Sequence, residues 1–444
     1  MKNFLIIAAL IANTLVAFAQ QPVQIHDIKM INLGDGRLYA TNDKDKALNG
    51  KMRIITGYTT EYIDAQFNKG YATGKWEYYK NNLLQKRMNY SEGLADGEVI
   101  EYHPDGETIK ATATMVKGKV DGINYMYDRN GKKEYERSMR NGTADGYERR
   151  FDPDGNITEE RFYKNGKADG KAFQIINRKQ SDEYTMRASY LNGQYDGEYS
   201  ETFANGNPKV KGAYTEGKRQ GVWEYFKRDG THAKPTEEYL DNTVIRRIEY
   251  FTDGKVSREV NFNNEGRKHG AEKEYDFEDG RLTKEQNYVD GKLLGRQMRR
   301  MSSNIYGRYF EYCTYNEAGK KHGDYLETFE DGGQMKSKGV YDNDKKVGLW
   351  IYGDDSGKVP PKEEVYNDRG ALLSVKMYVT SASSGNYFEL THYNDRQQKD
   401  GEYLQIWEKG GKTKMKGQYS QGRQSGAWLT YDVDGKLLKE ESKD

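Results

Sequence analysis

At 444 residues, with 70 Lys and Arg against 69 Asp and Glu, the chain has a formal charge of +1. That leaves no overall basic field for nonspecific binding to nucleic acid or anionic membranes. Only 35% of residues are apolar, which excludes a thick aliphatic core, while 48 Gly, 37 Tyr and a 13% aromatic content argue against disorder and for an ordered, thin, heavily solvated fold.

The chain opens with Met1-Lys2-Asn3, an apolar stretch from Phe4 to Val16, and Ala17-Phe18-Ala19 before Gln20. A charged start, a short apolar region and an A-x-A site predict a signal peptide over residues 1–19, cleaved after Ala19, and hence a periplasmic, cell-envelope or extracellular location. The apolar run is shorter than the roughly 18 residues a membrane span requires, and no comparable run follows, so no transmembrane segment is expected in the mature chain. Residues 20–43 precede any clear pattern; they either cap the first hairpin or form a mobile leader.

From residue 44 to 444 one pattern recurs. An aromatic anchor is followed by x-x-Gly and, four residues later, by a second glycine, as in Tyr163…Gly166…Gly170 and Tyr214…Gly217…Gly221. The anchor position is filled by Phe67, Tyr90, Met115, Met139, Tyr163, Tyr190, Tyr214, Tyr239, Phe262, Tyr288, Tyr315, Tyr341, Tyr366, Tyr393 and Tyr419, at spacings of 23 to 27 residues. About fifteen such repeats imply a stacked array, because one short repeat cannot bury its own apolar face. A second turn signal lies mid-repeat, in Asp105-Gly106, Asn130-Gly131, Asp154-Gly155, Asn205-Gly206 and Asp229-Gly230. Asn-Gly and Asp-Gly tolerate positive φ and favour hairpins. The segments between turns are rich in Tyr, Phe, Trp and Ile and predict strands of about five to seven residues, two per repeat. Frequent glycines break any helical stripe. The fold class is therefore all-β: an elongated antiparallel β-hairpin array. At about 10 Å per repeat it would extend as a rod or curved ribbon on the order of 150 Å long.

The consensus Y-x-x-G-x-x-x-G-x-W-x-x-Y/F, best seen at Gly74-Lys75-Trp76, Gly221-Val222-Trp223, Gly348-Leu349-Trp350 and Gly426-Ala427-Trp428, resembles the MORN repeat, and more closely the bacterial variant of YwqK-type antitoxin-like proteins. The resemblance covers about residues 44–444 and implies a hairpin array with scaffolding, membrane-associated or partner-binding roles. For the bacterial variant it implies toxin neutralisation.

No catalytic constellation is expected. The chain has no phosphate-binding glycine loop, H-E-x-x-H helix or G-x-S-x-G elbow. Carboxylate pairs such as Glu159-Glu160, Glu237-Glu238 and Glu363-Glu364 recur on strands expected to be solvated, and Asp152-Pro153-Asp154-Gly155 lacks the glycine spacing of a calcium loop. His269 and His322 occupy the residue before the second glycine, a slot held elsewhere by Asp96, Asp121, Asp145, Asp169 and Asp196, and lie two repeats apart, too far to share a metal. The lone Cys313 allows no disulfide framework and reads as a small strand residue. Hence no cofactor and no metal are expected. The Tyr and Trp series reads as a cross-strand packing ladder or as an exposed stacking surface for sugars or peptides.

The pattern breaks at 240–247, at 295–301 and between Ala371 and His392. Arg246, Arg247, Arg296, Arg299 and Arg300 cluster in the first two breaks, either as a basic patch for an acidic partner or as solvated edges of drifted repeats. The resulting expectation is a non-enzymatic exported protein that presents a surface to a protein partner. A toxin-neutralising or immunity protein and a carbohydrate-binding envelope protein are the alternatives.

Overall fold

The computed structural model describes residues 21–443 apart from 355, 357–360 and 384. The signal peptide at 1–19 lies outside the described residues. Contacts divide the chain into two compact units, Met1–Lys218 and Arg219–Asp444.

Apart from the short 3-10 turn Ile25–Asp27, regular structure among the described residues is β. From Gly50–Ile55 onward the long strands of each unit follow sequence order, each antiparallel to the one before, as in Gly122–Tyr127, Lys133–Arg140, Thr143–Phe151 and Ile157–Lys164 of the first unit. The second unit continues the scheme, ending with Thr413–Ser420, Arg423–Tyr431 and Leu437–Lys443. The expected hairpin array is therefore the observed fold.

Two kinds of turn alternate. After most anchors comes a two-residue loop with both residues at positive φ: Lys164 pairs with Lys167 around Asn165 (φ 50°) and Gly166 (φ 81°). This mirror-image turn matches the right-handed twist of the strands it joins. The second glycine of the pair does not form a turn. Gly146 (φ 117°) sits where the register slips between Arg137↔Glu148 and Met139↔Ala144, so the glycine pair encodes one turn and one β-bulge. The mid-repeat turn is closed by a residue three before its glycine. Asp152 Oδ1 accepts the amides of Asp154 and Asn156 at 2.8 and 2.9 Å, and Asp432 acts in the same way; Asn263, Asn316, Asn367 and Asn394 close the longer loops that follow the anchors Phe262, Tyr315, Tyr366 and Tyr393 by the same bonds.

Two residues beyond the bulge glycine, side chains from successive strands face one another in a row. In the first unit the registers run Trp76↔Met88↔Val99↔Ala113, then Asn124↔Arg137↔Glu148↔Arg161 and Ala172↔Ala188↔Tyr199. In the second they run Trp223↔Glu237↔Arg247↔Val260↔Glu272↔Gln286, then Gln297↔Cys313↔Tyr325↔Gly339 and Trp350↔Glu364↔Val375↔Thr391↔Tyr403↔Gly417. Trp76, Trp223 and Trp350 are about 1% exposed, so this row is the core, and the tryptophans belong to a packing ladder. Trp350 lies within 5.2 Å, centroid to centroid, of both Tyr325 and Tyr341. Where tryptophan is absent, paired charges fill the row: Arg137 Nε meets Glu148 Oε2 at 3.0 Å.

The segment before the repeats is ordered. Strands Ile28–Asn32 and Leu38–Asn42 form a hairpin, and Val23–Gln24 runs parallel to Ile54–Ile55. Ile28 and Ala40 bury themselves with Met52, Ile54, Ala65, Phe67, Ala72 and Trp76 in a continuous apolar cluster. The burial covers one end of the first core row, where the repeat itself provides no neighbour.

Candidate interaction surface

The pattern breaks hold regular strands. Residues 240–247 enter Thr243–Tyr250, 295–301 lie in Gly295–Ser303, and Leu372–Val379 pairs with Tyr387–Tyr393. Arg246 and Arg247 therefore lie four strand steps from Arg296, Arg299 and Arg300, about 19 Å at roughly 4.8 Å per step. Strand alternation divides the five again: Arg247 and Arg299 share the core-row face, while Arg246, Arg296 and Arg300 share the other. Arg247 occupies the tryptophan slot itself, with Nη2 2.8 Å from Glu237 Oε1. Arg246 Nη2 meets Glu259 Oε2 at 2.7 Å. Arg300 is nearly buried and ties neighbouring turns together through Asp276 at 2.7 Å and Glu330 at 2.5 Å. Arg296 lies over the Tyr312 ring at 5.2 Å, and Arg299 stands opposite Lys284 and Glu311. The structure does not bring the five guanidinium groups together at one place.

The most enclosed charge is Glu272, 1% exposed and bound by Arg258 and by Lys268 at 2.7 Å. Burial alone would raise its pKa, but hydrogen bonds from Lys268 and Arg258 hold it down to about 2. Cys313 lies in the same row, and burial pushes its thiol up to about 11. A depression in the second unit lies between the loop at 227–235 and the turn at 251–254, with Lys227, Lys234 and Glu249 on its wall. There His232 stacks flat on Tyr250, ring centroids 3.7 Å apart. Among the described residues no three His, Cys, Asp or Glu side chains converge as a metal group would require.

The slot before the bulge glycine has a defined structural task. Asp121 Oδ2 accepts the amide of Asn141, one turn further on, at 2.9 Å; Asp196 and Asp400 do the same for Glu216 and Gln421. His269 Nδ1 receives the Asp290 amide at 3.4 Å, and His322 Nδ1 lies 3.1 Å from Asp342 Oδ1. The histidines thus occupy a turn-bracing position.

In the first unit, the braces of Asp121 and Asp196 belong to a row of stacked turns along one edge. The amide of each turn glycine donates to the preceding repeat: Gly93 to Ala72, Gly118 to Ala95, Gly142 to Val120, Gly166 to Ala144, Gly193 to Ala168 and Gly217 to Tyr195, all at 2.7 to 2.8 Å. The N-terminal hairpin lies across the start of this row. Ala40 N donates to Gly70 O and Leu38 N to Gly93 O, both at 2.8 Å, and Tyr39 meets Tyr71 edge-on at 5.1 Å. Gly70 and Gly93 are buried in consequence, whereas Gly118, Gly142, Gly166, Gly193 and Gly217 are exposed. Sequence spacing gave the glycines but not this covering, which joins residues 30 and 55 positions apart.

The family model described as a MORN repeat variant matches residues 144–165 and 245–264. Each matched MORN-variant stretch contains most of one hairpin, Thr143–Phe151 with Ile157–Lys164 and Thr243–Tyr250 with Val256–Phe262, and each carries a charged residue, Glu148 or Arg247, in the tryptophan slot. No curated protein matches the chain. Similar solved structures include the TcdB2-TccC3 crystal structure (10% identity, 90% of this chain, 25% of that chain, TM-score 0.15). Others are the Photorhabdus luminescens Tc holotoxin pore (11%, 93%, 27%, 0.15) and a putative 6-phosphogluconolactonase from Bacteroides uniformis (11%, 72%, 92%, 0.09). The chain spans about a quarter of the length of the toxin chains it matches. No helix among the described residues is long and apolar enough to cross a membrane.

Proposed function

We propose that this protein is an exported, non-enzymatic array that works by holding a protein partner against its repeated surface. The observation that carries this reading is economy of burial: a single row of side chains forms the core, and a periodic edge of turns stays open to solvent from Gly118 to Gly217. Such a scaffold gains stability from nearest-neighbour stacking and can devote its remaining surface to recognition. The test is affinity capture with the tagged mature chain from crosslinked native cells. One stoichiometric protein supports the reading; failure to enrich any protein overturns it. Export is checked separately, by whether the isolated native protein begins at Gln20.

The toxin-neutralising role is a narrower form of the same reading. It draws on the YwqK-type resemblance and on the two MORN-variant segments. Co-expression with the captured partner decides it, since rescue of growth from a partner toxic by itself is the required result.

A further inference from the structure

We infer that the open turn row of the first unit, from Gly118 to Gly193, is a docking rail for an extended, acidic polypeptide segment. The inference rests on the partner-binding reading and specifies its surface. The chain itself shows the mode of binding, because its N-terminal strand already occupies the first two positions of the row. There the amides of Leu38 and Ala40, two residues apart, reach the carbonyls of Gly93 and Gly70. At these two turns one amide in every two of the strand reaches a turn carbonyl.

The later turns repeat the acceptor geometry. Their glycines have φ between 80° and 90°, as Gly70 and Gly93 do, and the same turn-to-turn hydrogen bond of 2.7 to 2.8 Å sets their spacing. Among the described residues nothing donates to the carbonyls of Gly118, Gly142, Gly166 or Gly193. The side chain after each glycine changes with the covering. Beneath the N-terminal strand it is Tyr71 or Leu94; on the open turns it is Lys119, Thr143, Lys167 and Gln194, all exposed. The covered positions are apolar and suit the chain's own strand, whereas the open ones offer cations and hydrogen-bonding groups. A segment that continues the row thus uses main-chain amides for attachment and carboxylates against Lys119 and Lys167 for selection, a turn-edge counterpart of strand addition.

The test uses the intact mature chain and a fluorescent peptide of about nine residues alternating Glu and Val, which at about 3.4 Å per residue is long enough to span the four turns. Two further peptides are N-methylated, one at every Glu amide and the other at every Val amide. The expected result is saturable binding that one methylation pattern weakens about tenfold or more while the other leaves it unchanged, and that Lys119→Glu with Lys167→Glu weakens by a similar factor. No binding, or equal binding of both methylated peptides, overturns the inference. A photo-crosslinker in place of Thr143 separates this from the broader reading. A captured partner that crosslinks from other surfaces but not from this position refutes the rail and leaves the partner-binding array standing.

Discussion

Gly339 and Trp350 form a complementary pair whose energetics can be worked out in advance. A Cβ built on Gly339 would lie 2.3 Å from two atoms of the Trp350 indole, and Gly339 has no positive φ, so space alone excludes a side chain there. Trp350 is about 1% exposed, donates Nε1–H to Val340 O at 3.2 Å, and packs against Tyr325 and Tyr341. Trp350→Ala removes those contacts and opens a cavity, at about 3–5 kcal/mol. Gly339→Ala overpacks the same site, at about 1–3 kcal/mol. With the indole already gone, the alanine methyl has room, and replacing a strand glycine then returns about 0.5–1 kcal/mol. The double variant should accordingly be no less stable than Trp350→Ala alone, a coupling of at least about 1 kcal/mol. Because stability in an array is local, the assay is native-state hydrogen exchange on Met335–Asp342 and Lys345–Tyr352, with Gly74–Lys80 as the internal standard. Costs that add to within about 0.5 kcal/mol would refute the packing argument.

Glu272 makes the second core row pH-sensitive. Its folded pKa, about 2, lies below the ordinary 4.5, so its contribution is complete above the ordinary value and is lost as pH falls from there towards 2. Glu272→Gln should remove that acid limb and cost about 2–3 kcal/mol at neutral pH, the lower side of the range for breaking a buried pair because the Arg258 and Lys268 side chains are a third exposed. Acid titrations of both proteins followed by circular dichroism check this, and identical acid limbs would contradict it. Cys313, with its thiol raised to about 11, should resist alkylation at pH 8 in the native protein and react at an ordinary rate after denaturation, as thiol-reactive dye kinetics will report. Asp152→Ala removes the acceptor for two turn amides and should loosen exchange across Thr143–Lys164 by about 1–2 kcal/mol; unchanged protection there would rule out the bracing role.

The division between what was legible and what was not follows sequence distance. Short-range steric demands were readable: a two-residue turn such as Asn165-Gly166 requires positive φ, the anchor spacing repeats it, and aromatic segments between turns can only be strands. The glycine pair was readable as a turn signal but its division into a turn and a bulge was not, because both demand the same backbone conformation and only the register distinguishes them. Turn bracing by Asp152 was missed for a similar reason, since the visible Asp154-Gly155 drew attention from the residue that accepts the bonds.

The sequence by itself determined the hairpin, its period and its two turn edges, since these depend on φ preferences and alternation within some 25 residues. Only the tertiary structure decided that Arg247 and Glu272 fill the slot that tryptophan holds elsewhere, that Arg300 is tied to Asp276 and Glu330, and that Leu38–Asn42 lies across the turns at Gly70 and Gly93. Each of these depends on which neighbours arrive from other repeats, and burial is a property of the stack rather than of any one repeat.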